Sequence, residues 1–117
     1  MHSLIKASLV KALLWDANLE RSDLDSTLDG SNFQECNLQR ANLRGVTARN
    51  ANFQGANLCD ADFQGTNLFD AIFSHANIQG VNFQKAEYMN VEQIKAAQHW
   101  EKAIYDDDFR KELGLLP

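Results

Sequence analysis

From Leu28 onward a large apolar side chain returns every fifth residue: Leu28, Phe33, Leu38, Leu43, Ala48, Phe53, Leu58, Phe63, Leu68, Phe73, Ile78, Phe83 and Tyr88, with Ala48 the one small member. Two places ahead of each stands a short side chain, from Ser26, Ser31, Cys36 and Ala41 to Ala76, Val81 and Ala86. The residue between is mostly Asn or Asp, and the other two are mostly polar. Five residues of α-helix advance about 500°, which leaves successive large residues about 140° apart. On a flat strand an odd step sends them to opposite faces. Neither element gives this pattern one inside. Thirteen blocks in phase form an internal repeat, which takes precedence over propensity. A chain that turns by a fixed angle per block satisfies it, with the centre and the short residue inward and the other three outward.

Upstream the phase resumes at Leu4, Leu9, Leu14, Leu19 and Leu24, with Ala7, Ala12, Ala17 and Ser22 two places ahead. Leu24 precedes Leu28 by four residues, so the register slips over 24–28, and we read Asp25–Thr27 as a shortened corner or a local distortion. Residues 1–15, MHSLIKASLVKALLW, fit two descriptions. One continues the repeat with Leu4, Leu9 and Leu14 inward. The other is a helical N-terminal cap with Ile5, Leu9, Ala12 and Leu13 on one face. A solenoid end exposes core and unpaired edges, so either form closes the rod.

The blocks ANLRG, ANFQG, ANLCD and ADFQG carry a small residue, then Asn or Asp, then Leu or Phe, then two variable residues. Over about residues 7–88 the sequence resembles the pentapeptide repeat family. The resemblance implies an all-β solenoid, a right-handed quadrilateral β-helix with four blocks per coil. Residues twenty apart then stack in four internal columns: Phe33, Phe53, Phe73; Leu38, Leu58, Ile78; Leu43, Phe63, Phe83; and Leu28, Ala48, Leu68, Tyr88. The columns come out chemically sorted. Eighteen blocks make about 4.5 coils, a rod about 22 Å long at about 4.8 Å per coil. The outward Asn columns read as structural, because Asn suits tight turns and bonds the local backbone.

The phase stops after Tyr88 and divides the chain into a repeat region, 1–90, and a tail, 91–117. Asn90 is a good N-cap, with Gln93 at the capping-box position. The spacing of Val91, Ile94, Ala97, Trp100 and Ile104 predicts a helix over 91–104. Asp106–Asp108 starts a second short helix ended by Gly114. This tail resembles the C-terminal helical extension of pentapeptide repeat proteins from photosynthetic lineages, and we expect a short α-helical cap. One outward column reads Asp29, Arg49, Phe69, Met89, apolar at its end where most blocks have Gln. Phe69, Met89, Trp100 and Ile104 are therefore the candidate contact surface, covered by the tail in one reading and by a protein partner in the other.

Charge narrows the function. Asp plus Glu number 16 against 11 Lys plus Arg, net −5, which argues against direct nucleic-acid binding and against an anionic membrane surface. No apolar run approaches the roughly 18 residues that span a bilayer. Lys6 and Lys11 break the N-terminal apolar stretch, so we expect no signal peptide and a cytoplasmic location. Cys36 falls inward and Cys59 outward, which argues against a bond between them. His2, His75 and His99 show no ligand spacing, and Asp106–Asp108 lack the spacing and Gly of a calcium loop. Arg40, Arg44 and Arg49 read as a solvated face. We expect no metal, no cofactor and no catalysis.

The reading is a noncatalytic structural and protein-interaction module that displays a rigid rod to an unidentified protein partner, itself a monomer or a weak homodimer through its ends. The family resemblance supplies an alternative, a DNA mimic acting on a topoisomerase such as DNA gyrase. Against it, residues 17–90 carry nine acids beside five bases, and the acids form no continuous outward column. The rod is also short beside duplex DNA with a charge every roughly 1.7 Å.

Overall fold

The computed structural model describes residues 13–14, 16–17 and 27–115. Each block is one extended step and one corner. At the corner the carbonyl of the centre accepts the N–H three residues on, as in Cys36 N to Phe33 O at 3.1 Å and Ala56 N to Phe53 O at 3.0 Å. The third residue of that turn is left-handed, with φ 56° at Glu35, 59° at Asn50 and Asp60, and 69° at Gly55 and Gly65. A turn with positive φ in that place favours Gly, Asn and Asp. The Asn before most centres secures the same corner. Its Oδ1 accepts the N–H two residues on, from Gln34 to Asn32 at 2.9 Å, Gln39 to Asn37 at 3.0 Å and Gln54 to Asn52 at 2.9 Å. Two local bonds and one left-handed residue therefore set the five-residue step.

Successive levels pair in parallel, one residue per side: Asn32 with Asn52 and Asn52 with Ile72, Asn37 with Asn57 and Asn57 with Asn77, Asn42 with Asp62 and Asp62 with Asn82, Thr47 with Asn67 and Asn67 with Glu87. Most centres donate to the level ahead, as in Phe33 N to Asn52 O at 2.6 Å and Leu58 N to Asn77 O at 2.9 Å. Inside, Phe33, Phe53 and Phe73 stack with centroids 5.0 and 5.3 Å apart and planes within 6° and 5°. Phe53 meets Phe63 of another column edge-on at 5.6 Å. Leu28, Leu38, Leu58, Leu68, Leu43, Phe63, Ile78 and Phe83 are fully buried, each stabilising by about 1.5–3 kcal/mol.

Three places depart from the expected register. The first is at the N-terminal side. There Leu13 pairs with Asn37, and Leu14 N donates to Asn37 O at 2.7 Å. Asp16 meets Arg40, 24 residues on, where regular levels such as Thr27 and Thr47 lie 20 apart. Leu13 and Asn37 likewise lie 24 residues apart. Residues 24–26, where the slip begins, and most of the 1–15 segment lie outside the described residues.

Tyr88 is the second. Expected as an inward centre, it is 63% exposed, with φ 65°. The left-handed turn at Tyr88 points its ring out, and Met89 packs against the core.

The third is the tail. In place of one helix over 91–104, α1 spans Val91–Lys95, a 3-10 turn spans Trp100–Lys102, and α2 spans Asp107–Leu113. Between them Gln98 pairs with Asn77, and Ile104 with Asn82. The last regular level presents N–H and C=O groups that need partners, and satisfying them outweighs extending a marginal helix. Ile78 N donates to Gln98 O at 3.1 Å, Gln98 N to Ala76 O at 2.7 Å, and Phe83 N to Ile104 O at 2.8 Å. Ile94 and Ala97 are buried, and Tyr105 stacks on Phe83 at 5.7 Å, with Phe109 of α2 beside it.

Candidate interaction surface

Because the interior holds packing side chains, the outward columns carry whatever the molecule presents. Along the column one past the centre, Arg49 lies over Asp29. Asp29 Oδ1 accepts the Arg49 N–H at 2.8 Å, and its Oδ2 accepts Nη2 at 2.6 Å. Burial pushes the Asp29 carboxyl up, but these bonds outweigh it and hold the group below the usual carboxylate range. Beside it the hydroxyls of Thr27 and Thr47 stand 2.6 Å apart. Arg40 grips Asp16 with two nitrogens at 2.8 and 3.0 Å, and Arg44 lies 3.7 Å from Asp62. The three arginines are each matched to a carboxylate rather than left as a basic patch.

One level above Arg49 the column turns aromatic. Phe69 and Tyr88 meet edge-on at 6.3 Å, and with Arg49 and Asn67 they line a shallow groove of about 240 Å³. Phe69 is 49% exposed. Across the corner at Asp70, a second notch of about 330 Å³ is lined by Asp70, Ile72, Ser74, Asn90 and Glu92 among others. Ile72 is itself exposed, in the column where Asn32 and Asn52 make corner bonds.

The four candidate contact residues do not converge. Met89 is half-buried against the core below the tail. Trp100 is half-buried, with Lys95 Nζ 5.1 Å over its ring. Ile104 pairs with Asn82 on another side of the rod. Phe69 remains open, so the tail does not fold back over it. Instead α1 docks through Gln93. Its backbone N–H and Asn90 Oδ1 close the capping box at 2.8 Å, and its Nε2 donates to Leu68 O and Ala71 O, both at 2.8 Å. Sequence reasoning missed Tyr88 and Ile72 as surface residues. Both had a signal: Tyr88 follows Glu87 and Ile72 replaces Asn, each breaking the motif at its middle position.

Cys36 is buried and Cys59 half-buried, and neither is in a disulfide. Burial and the neighbouring Asp60 push the Cys59 thiol up. His75 is exposed at a corner, and among the described residues no His, Cys, Asp and Glu side chains cluster as a metal site. Tyr105 is buried, its hydroxyl donating to Trp100 O at 2.6 Å, and burial drives its pKa up. Among the described residues no helix is long and apolar enough to cross a membrane.

No curated protein sequence matches the chain. Among solved structures it is similar to HetL, a pentapeptide repeat protein involved in heterocyst differentiation regulation from the cyanobacterium Nostoc, at 25% identity and a TM-score of 0.54. That match covers 82% of this chain and 38% of HetL, so the chain spans well under half of HetL's length. It is also similar to a pentapeptide repeat protein of the cyanobacterium Cyanothece, at 18% identity, TM-score 0.33, covering 86% of this chain and 61% of that one. QnrB1, a plasmid-mediated fluoroquinolone resistance protein, matches at 16% identity, TM-score 0.33, over 96% of this chain and 78% of its own. The family model for pentapeptide repeats matches residues 26–65 and 49–84, eight copies in all. The twenty-residue levels, the four inward columns and this match together place the chain in the pentapeptide repeat family, with that family's right-handed quadrilateral β-helix.

Proposed function

We propose that this chain is a noncatalytic protein-interaction module, a rigid rod of about 4.5 coils that the tail closes at one end. The observation that carries the reading is the exposed Phe69–Tyr88 pair. Phe69 sits on a corner fixed by the Ala71 N to Leu68 O bond and by Asn67 Oδ1, so its ring is presented at little ordering cost. HetL's involvement in regulating differentiation favours a regulatory binding role, and this chain would supply the corresponding role through a protein partner. We place it in the cytoplasm, as a monomer or a weak homodimer through its ends. The test is affinity capture of partners on the immobilised full chain, followed by reciprocal capture with the identified partner. A stoichiometric complex that survives reciprocal capture is expected. Failure of both directions under native conditions rejects the reading.

The alternative, a DNA mimic acting on a topoisomerase, draws support from the net charge of −5. It loses support from the pairing of Asp16, Asp29 and Asp62 with arginines, which interrupts any negative stripe. A gyrase supercoiling assay distinguishes the two, and inhibition by the purified chain favours the mimic.

A further inference from the structure

Resting on the interaction-module reading, we propose that the corner at Phe69–Asp70 is the docking site, and that its partner is a basic protein segment with a central apolar side chain. Three observations point there. First, Phe69 replaces the polar residue that most blocks place beside the centre, Tyr88 is a centre turned outward, and the two form one exposed ring pair instead of scattered apolar residues. Second, Ile72 gives up a structural role. Asn32 and Asn52 below it hold the N–H groups of Gln34 and Gln54, but Ile72 has no oxygen to do so and remains 43% exposed. The substitution costs a corner bond and gains no burial within this chain, whereas a partner's apolar side chain would bury it.

Third, the rim is acidic. Asp70 and Glu92 line the notch beside Ile72, and Glu87 precedes Tyr88. All three are exposed, and none has an ion-pair partner among the described residues. The cation in the adjoining groove, Arg49, is already committed to Asp29. A second copy of the chain would set these carboxylates against their own images on a molecule of net charge −5. A Lys- or Arg-flanked segment meets them with opposite charge.

The test uses the isotope-labelled full chain and three synthetic peptide sets sharing a central Trp or Leu, with flanks of Lys/Arg, Asp/Glu or Ser. Binding is followed by amide NMR shifts. The Lys/Arg set should bind about tenfold or more tightly than the Ser set, with shifts centred on Phe69, Asp70, Ile72 and Tyr88. The double variant F69A/Y88A should lose that binding, and D70K/E92K should turn the preference toward the Asp/Glu set. Circular dichroism checks that both variants stay folded, as expected for exposed residues. Equal binding of the three sets, no binding at all, or unchanged binding by F69A/Y88A overturns the site. Shifts on another face overturn the site but leave the interaction-module reading standing. That reading falls separately, by failure of the reciprocal capture described above.

Discussion

An asparagine oxygen holds most corners, and the chain's own exceptions show what that oxygen contributes. Asn57 holds the Cys59 N–H at 3.1 Å, and Asn77 holds that of Gln79 at 3.0 Å. Asn57→Ala should cost about 0.5–1.5 kcal/mol, one net hydrogen bond, measured by urea denaturation. Ile72→Asn should act in the opposite sense. It restores the acceptor found at Asn32 and Asn52 and should stabilise by about 0.5–1 kcal/mol, while weakening partner binding. The thiols report the inside and outside of the same blocks. Cys59 should react with a thiol reagent in the folded protein, and Cys36, at 1% exposure, should not. The thiolate is the reactive form, and the Cys59 pKa lies above that of a free cysteine. Its labelling should therefore be slower than a free thiol's at neutral pH, and it should still climb with pH where the free thiol has levelled off. Rapid labelling of Cys36 would contradict the inward assignment.

At the scale of elements, what could be read in advance depends on how local the cause is. The repeat was legible because short-range rules place each member of a block: a left-handed corner residue, an Asn acceptor, a large centre, a short neighbour. The capping box of Asn90 and Gln93 was legible for the same reason, and both of its bonds form. The tail helix was misread because its pattern is local but its competitor is not. The open edge at Asn77 and Asn82 draws Gln98 and Ile104 into pairing and ends α1 at Lys95. Tyr88 was misread because periodicity cannot see a left-handed residue that hands the inward place to Met89. The candidate surface was legible only at Phe69, since its partner ring came from that misplaced tyrosine. Gln93 should be the most costly polar residue of the tail. Gln93→Ala removes the capping bond to Asn90 and the two bonds to Leu68 and Ala71, and should cost about 2–3 kcal/mol in thermal or urea melts. Gln93→Glu keeps the cap but cannot donate to those carbonyls, so it should recover only part of the loss.

For the whole molecule the question is how a ladder of parallel pairs comes to an end. Phe83 N finds Ile104 O, and Lys85 N finds the Asp106 carboxylate at 2.9 Å, where earlier corners find a backbone carbonyl. Beyond that level Tyr105 covers Phe83, Phe109 covers Tyr105, and Leu113 of α2 is buried. We read these as successive layers that convert an open edge into a closed surface, so their removal should have graded effects. Deleting residues 107–117 leaves the Gln98 and Ile104 pairings in place but uncovers Tyr105. That variant should melt lower and remain monomeric. Deleting residues 91–117 also uncovers the edges at Asn77 and Asn82 and the rings of Phe73 and Phe83, and it should aggregate through edge pairing. Light scattering on the full chain and both truncations orders the three. A tight dimer of the full chain, together with a soluble and stable monomer of the longer deletion, would show instead that the tail is an association element. The closed end would then belong to a pair of molecules, and Trp100 and Ile104 would be the residues to substitute next.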